Sequence, residues 1–402
     1  MDNAIRFMFI LTIVCGAAYA RSEAYVASAA VPAAAARTAF DITELGAVAD
    51  GKTDSTKAVQ DAWNAACGLP GSQKVVIPKG EFMTGALNFS GPCKGYVTVQ
   101  IDGTLFGSND IPKYNKGNWL EILHVDNVLV NGSGTLDGQG AAVWKDECKI
   151  LPNSLVLDYV NNGTVSGIKL VNSKFFHINV YMSKVVTIKN VTITAVADSP
   201  NTDGIHIGDS SEISVADSTI ATGDDCISVG PGSSRVNIKG ITCGPGQGIS
   251  IGCLGRFKDE KDVTDVTVRN CVLRNTSNGV RIKSYEDVLS PITASKLKFE
   301  NIRMEGVAKP VIVDQRYCPE KTCSDRKGNN TVTIKDVTFR NITGTSSTPE
   351  AVSLLCSDQL PCNGMELLDV NVEYDGKDNK TMAVCTNANG VSKGSLQALA
   401  CL

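Results

Sequence analysis

Residues 185–193 read VVTIKNVTI, and the same design returns down the chain: EISVADSTI at 212–220, RVNIKGITC at 235–243, DVTVRNCVL at 265–273, KLKFENIRM at 296–304 and TVTIKDVTF at 331–339. Each segment alternates apolar and polar residues and is rich in Val, Ile and Thr. Most carry Asn or Asp near the middle. Alternation of this kind marks a half-buried strand. The starts advance by 27, 23, 30, 31 and 35 residues, with no helical periodicity in any of them. Shorter strands lie between: GIHIG at 204–208, CISVG at 226–230, GISIG at 248–252 and GVRIKS at 279–284. Two or three short strands per repeat with glycine-rich corners predict an all-β, single-domain, right-handed parallel β-helix. Its interior columns are Ile205, Ile227, Ile249 and Val280, and Ile207, Val229, Ile251 and Ile282. A β-sandwich or propeller is the alternative, but neither needs the same columns aligned at a coil-like period.

The N-terminal end has a different pattern. In TDSTKAVQDAWNAACG at 53–68, Ala58, Ala62, Trp63 and Ala66 recur at helical spacing. Asp54 or Ser55 is placed to cap the helix and Gly68 to end it. A short helix here closes the open end of a solenoid, as a terminal cap must. The β-helix domain is therefore expected over residues 40–402. Upstream, IRFMFILTIVCGAA at 5–18 is one short apolar run after a basic residue, ending in the small-x-small pattern AYA at 18–20. It reads as a secretory signal over residues 1–20, too short to span a membrane well. Residues 21–39 read as an Ala-rich linker or propeptide.

Secretion gives the cysteines meaning. Of 14, Cys15 falls in the signal, leaving 13 and at least one without an intramolecular partner. An oxidising compartment favours disulfides over zinc sites. Cys226 and Cys243 are placed to bridge neighbouring repeats. Cys318 with Cys323 and Cys356 with Cys362 are close in sequence. Cys148, Cys253 and Cys271 are the candidates for an unpaired thiol. Asn-x-Ser/Thr acceptors stand at Asn88, Asn131, Asn162, Asn190, Asn275, Asn329, Asn341 and Asn379, and a secreted chain is expected to carry glycans at some of them. A net charge of −4 argues against general nucleic-acid binding. It leaves room for an anionic substrate on a local basic patch.

Aligning the short strands by their apolar columns places Asp203, Asp225 and Gln247 two residues before Ile205, Ile227 and Ile249. Their steps are 22 and 22, one coil each, so they stack on one edge with Asp224 beside Asp225. Side chains alternate along a strand, so His206, Ser228, Ser250 and Arg281 form a second, outward column, with Lys283 two residues on. Neighbouring strands lie about 4.7–4.9 Å apart, which crowds three carboxylates together. Like charges that close resist joint ionisation, so one proton is held unusually tightly. A protonated acid beside an ionised base is the minimum equipment for glycoside hydrolysis. Arg281 and Lys283 bring positive charge suited to an acidic sugar. Each feature also has a plainer reading. Corner aspartates cap turns, oxygen-rich clusters take calcium, and Arg281 with Lys283 alone is an ordinary wet face. His124 and His177 read as structural. The shared register of carboxylates and cations favours the catalytic reading.

The motifs NTDGIHI, GDDCIS, CGPGQGISIG and RIK, in that order, resemble those of the polygalacturonases of glycoside hydrolase family 28. The likeness runs from FDITELGAVADGKTDSTKAVQDAW to the cysteine-rich C-terminus. Stretches such as LGRFKDEKDVTDVTV and GVRIKSYED are similar to the pollen-type exopolygalacturonases of plants. The resemblance implies an extracellular or cell-wall enzyme. It would act as a monomer, without metal or other cofactor, in inverting hydrolysis of the α-1,4 bonds of homogalacturonan, an acidic polysaccharide. It makes Asp224 the general acid, has Asp203 and Asp225 position and activate water, and has Asn201, His206, Arg281, Lys283 and Tyr317 line substrate subsites. One departure stands out. The family's GHGISIGS reads GQGISIGC here, so Gln247 replaces a histidine thought to hold the acid in its protonation state, and Cys253 replaces a serine. Glutamine hydrogen-bonds but carries no ionisable proton. The implication is a folded enzyme with weakened activity or a shifted pH profile. The competing readings are a non-catalytic pectin-binding or wall protein, and a relative cutting another acidic pectin. The endo or exo mode is assigned to loops 105–120, 253–263 and 314–330.

Overall fold

The computed structural model describes residues 38–114, 117–145, 151–286, 288–318, 331–377 and 380–402. The expected signal, nearly all of the Ala-rich stretch, Cys148, Cys323, Asn329 and Asn379 lie outside these residues. Residues 38–402 form one compact unit. Eleven strands, from Leu87–Ser90 to Met382–Thr386, stack coil upon coil into one parallel sheet, which we call the floor sheet. Twenty further strands form the rest of the coil wall. The right-handed parallel β-helix expected from the repeats is what the chain builds.

The two aliphatic columns stack as read. Ile205 pairs with Ile227, Ile227 with Ile249 and Ile249 with Val280. Ile207, Val229, Ile251 and Ile282 run alongside, and all eight are fully buried. Stacking like on like removes each face from water on both sides, so one apolar core runs the length of the solenoid.

The corners explain why most of the nine-residue motifs carry Asn or Asp near the middle. In VVTIKNVTI the chain forms strand Lys184–Lys189, turns at Asn190 and resumes at Thr192–Thr194. Asn190, Asp217, Asn270, Asn301 and Asn341 all have positive φ, with Gly240 completing the column. A corner this tight needs left-handed backbone, which Asn, Asp and Gly adopt most cheaply. Asn side chains then ladder between coils: Asn301 donates to Asn270 and Asn341 to Asn301. A second left-handed column runs through Val185, Glu212, Arg235, Asp265, Lys296 and Asp336, with φ between 53° and 61°.

One repeat boundary differs from the sequence expectation. Leu297 pairs with Val337, not with Val332, so the last motif is DVTFRNITG at 336–344. Val332 and Ile334 imitate its alternation because they belong to the preceding stretch of the same coil, where Ile334 pairs with Ala294.

The cap is the helix Thr56–Cys67, whose buried face includes Ala58, Ala62, Trp63 and Ala66. Asp54 provides the cap, accepting from the Thr56 backbone N–H at 3.0 Å, while the Ser55 hydroxyl instead accepts from the Val48 N–H. Trp63 stacks on Phe89, centroid to centroid 4.5 Å, and Cys67 bridges to Cys93. Further disulfides join Cys226–Cys243, Cys356–Cys362 and Cys385–Cys401. Cys318 is disulfide-bonded, and its expected pairing with Cys323 falls outside the described residues. Cys253 and Cys271 are free thiols. Among the described residues no helix is long and apolar enough to cross a membrane.

Candidate active site

The site forms where floor-sheet strands begin. Asp203 precedes strand Ile205–Gly208, Asp224 and Asp225 precede Ile227–Val229, and Gln247 precedes Ile249–Leu254. The glycine after Asp203 is there for space. A Cβ on Gly204 would lie 2.4 Å from Ile220 Cγ2 and 2.5 Å from the Cys226 carbonyl oxygen. Gly223, before the aspartate pair, would meet the Ser199 carbonyl at 2.0 Å. The coils therefore approach closely enough to bring an oxygen of each of Asp203, Asp224 and Asp225 within 4.8 Å of the others. The Cys226–Cys243 disulfide pins the corner directly after Asp225.

The three carboxylates are not equivalent. Asp225 is buried and its carboxylate accepts three hydrogen bonds. Its Oδ1 accepts from Ser250 Oγ at 2.8 Å and Arg281 Nη2 at 2.9 Å, its Oδ2 from Lys283 Nζ at 2.9 Å, and its backbone N–H donates to Asp224 Oδ1 at 2.7 Å. Two cations and a hydroxyl make it the fixed anion of the group. Burial, then the neighbouring Asp225 charge, raises the Asp224 pKa. Burial, then Asp224 and Asp225, raises Asp203 well above the usual carboxylate range, and Ser228 Oγ donates to its Oδ2 at 2.7 Å. Burial works against the Lys283 ammonium, but the Asp225 carboxylate outweighs it and the lysine pKa rises.

The outward column is as read: His206 pairs with Ser228, Ser228 with Ser250 and Ser250 with Arg281. It is not open to solvent, since Ser228, Ser250, Arg281 and Lys283 are all buried. Arg281 and Lys283, read as partners for a substrate carboxylate, are turned onto Asp225. Lys283 still lines the cleft, with two further ammonium protons to offer. Tyr317 covers the pair, its ring centroid 5.9 Å from Arg281 Cζ and 5.4 Å from Lys283 Nζ. Burial pushes His206 down to about 4, so its imidazole is neutral near neutral pH. Gln247 donates its backbone N–H to the Asp224 carbonyl at 2.9 Å, and its side-chain Oε1 is 3.5 Å from Arg281 Nη2. Asn201, exposed and left-handed at φ 49°, sits at the mouth. His177 is buried below, contacting the Asp203 carbonyl through Nδ1 at 3.2 Å.

Asp203, Asp224, Asp225, His206, Gln247, Asn201, Lys283 and Tyr317 line one cleft of about 730 Å³. Its size suits a small ligand or part of a chain. Its aromatic wall was not foreseen from the sequence: Phe175 stacks on Phe176 at 4.2 Å and Phe176 meets His206 at 5.0 Å. Nor were Arg256 and Phe257 singled out, on the expected rim loop, with Phe257 65% exposed. Only the FF pair beside an outward-facing strand hinted at the wall. A hard cation fits the carboxylates poorly, because both Asp225 oxygens already carry donors and two cations offset the acidic charge.

The chain matches Glycosyl hydrolases family 28 over residues 67–401. This chain belongs to family 28 of the glycosyl hydrolases. An exopolygalacturonase of Zea mays is 58% identical over 408 residues, covering 100% of this chain and 99% of that protein. An exopolygalacturonase of Platanus acerifolia is 40% identical, covering 88% and 95%. Among solved structures, a polygalacturonase from Erwinia carotovora superposes with TM-score 0.71 at 23% identity, covering 91% of this chain and 99% of that one. At that identity it supports the family 28 fold alone. The carboxylate cluster and its cation pair thus sit in the cleft of a glycosidase.

Proposed function

We propose that this family 28 enzyme hydrolyses the α-1,4-galacturonosyl bonds of pectic polygalacturonate, releasing sugar from a chain end, as a secreted monomer acting in the cell wall. The observation that carries the reading is the graded trio. Asp225 is paired with Arg281 and Lys283, while burial and mutual repulsion raise both Asp203 and Asp224, so that one of the two keeps a proton while the other is ionised. Asp224 is the general acid for the leaving oxygen. Among the described residues the Asp203 carboxylate has one donor, on Oδ2, and in the ionised form its other oxygen serves as the base for water. Asp225, with donors on both carboxylate oxygens, works as the electrostatic anchor. Lys283, Asn201, Tyr317 and His206 contact the sugar. The chain-end mode follows the named activity of the exopolygalacturonases of Zea mays and Platanus acerifolia, which match 100% and 88% of this chain.

The carboxylates are closer than the ~6.5–9.5 Å of two-carboxylate inverting sites. We infer that three acids share one small water site, and inversion remains the expected outcome. The test is incubation of purified protein with polygalacturonate, with products sized and the first-formed anomer read by NMR. Monomer released as the β-anomer is expected, and α-anomer released first would overturn inversion. Asp224→Asn should lower turnover by about 10²–10⁴-fold. Gln247 favours one second reading, a pectin-binding protein without activity. Binding without release, with Asp224→Asn indistinguishable from wild type, would establish it.

A further inference from the structure

Two buried serines, paired in register one coil apart, each stand between a carboxylate and a second nitrogen group. Ser250 Oγ donates to Asp225 Oδ1 at 2.8 Å and accepts from Arg281 Nε at 3.1 Å. Ser228 Oγ donates to Asp203 Oδ2 at 2.7 Å and lies 2.8 Å from His206 Nδ1. Both are at most 2% exposed. A hydroxyl has one proton. With Asp203 ionised, as a base must be, that proton points to its Oδ2, the contact to His206 must run from the ring, and so Nδ1 carries hydrogen and Nε2 is the acceptor.

We propose that Ser228 is a positioning residue for the Asp203 base, holding Oδ2 with its one proton while it receives the Nδ1–H of His206. The proposal rests on Asp203 acting as the base. It gives His206 a defined part: an imidazole in the cleft whose free Nε2 accepts from a sugar hydroxyl. It also separates the two stacked carboxylates by what stands behind their serines, an imidazole for Asp203 and a guanidinium for Asp225. Other groups facing Asp203 are Asp224 and Asp225 on the next coil, Lys283 further along, and His177, which contacts its backbone carbonyl from the coil before.

Two measurements test it. The chain has three histidines, so 15N spectra of the labelled wild-type protein are tractable, with His206 identified by its loss in His206→Asn. The Nδ1–H tautomer is expected for His206 near pH 6, and the Nε2–H tautomer would overturn the proposal. This readout needs no activity, so it stands even if polygalacturonate is not the substrate. A wild-type enzyme inert on polygalacturonate would defeat the functional reading alone. Where turnover is measured, Ser228→Ala should lower kcat about tenfold with KM within about twofold. Losing a donor to the carboxylate raises the pKa of the base, so the acidic limb of the kcat profile should move up by about one pH unit. Ser228→Thr keeps the hydroxyl and should restore both. An unmoved acidic limb, or a threonine variant no better than alanine, would leave Ser228 a packing residue.

Discussion

Gln247 sits where an acid–base site would place a proton carrier, and its amide has a narrower task. Its backbone ties the Asp224 coil to the next, and its Oε1 faces Arg281, the guanidinium that fixes Asp225. An amide oxygen can take that contact at any pH, whereas a protonated imidazole would repel the guanidinium. Gln247→His should therefore change both turnover and the pH profile by adding a titrating group beside the acid. Unchanged kcat and an unchanged profile would show that this position takes no part. The crowding has a second consequence at Asp203. Its folded pKa lies above the unfolded value near 4. Between those two values the folded state binds more protons, so this group's contribution to stability is greatest below pH 4 and is lost as pH rises through the folded pKa. Asp203→Asn should raise stability at pH 7 by ~1–2 kcal/mol while turnover collapses. The gain should vanish near pH 3.5. Thermal melts at the two pH values check the sign, and a variant less stable than wild type at pH 7 contradicts it.

At the level of the strand and its corner, the left-handed columns carry the architecture. The second column tolerates Glu212, Arg235 and Lys296 at exposed corners, but Val185 is the poorest choice in it. A β-branched side chain at φ 56° is strained, and at 40% exposure it gains little from burial. Val185→Asn should stabilise the fold by about 1 kcal/mol, seen as a higher melting temperature with unchanged kcat. These corners also show what the sequence could and could not reveal. Alternation exposed the strands, and aligned isoleucines fixed the register of four successive coils, which placed Asp203, Asp225 and Gln247 on one edge. The 331–339 motif was misaligned because Val332 and Ile334 alternate just as Val337 and Phe339 do, and periodicity alone cannot say which follows the corner. Pairing of Arg281 and Lys283 with Asp225 was also hidden. Register gives the column a side chain occupies but not the direction in which a long cation reaches.

Over the whole molecule, the solenoid is a one-dimensional stack in which each coil contacts only its neighbours. An uncapped end would leave the apolar interior of the first coil in water. The helix Thr56–Cys67 covers it, and Trp63 is its largest contribution, 1% exposed, stacked on Phe89 and donating its indole N–H to the Ser90 carbonyl. Truncation to alanine in such a site costs ~3–5 kcal/mol. In a globular core that loss would be shared by the whole domain. In a stack with nearest-neighbour coupling it should be local, because coils far from the cap keep both of their neighbours. Trp63→Ala should therefore strip hydrogen-exchange protection first from the strands Ser72–Ile77 and Tyr96–Ile101. Protection in Ile249–Leu254 and Asn278–Ser284, which carry the site, should fall far less, and kcat at 25 °C should stay within about twofold. Equal loss of protection in all four strands would mean that the coils unfold as one unit and that the cap stabilises the active site directly.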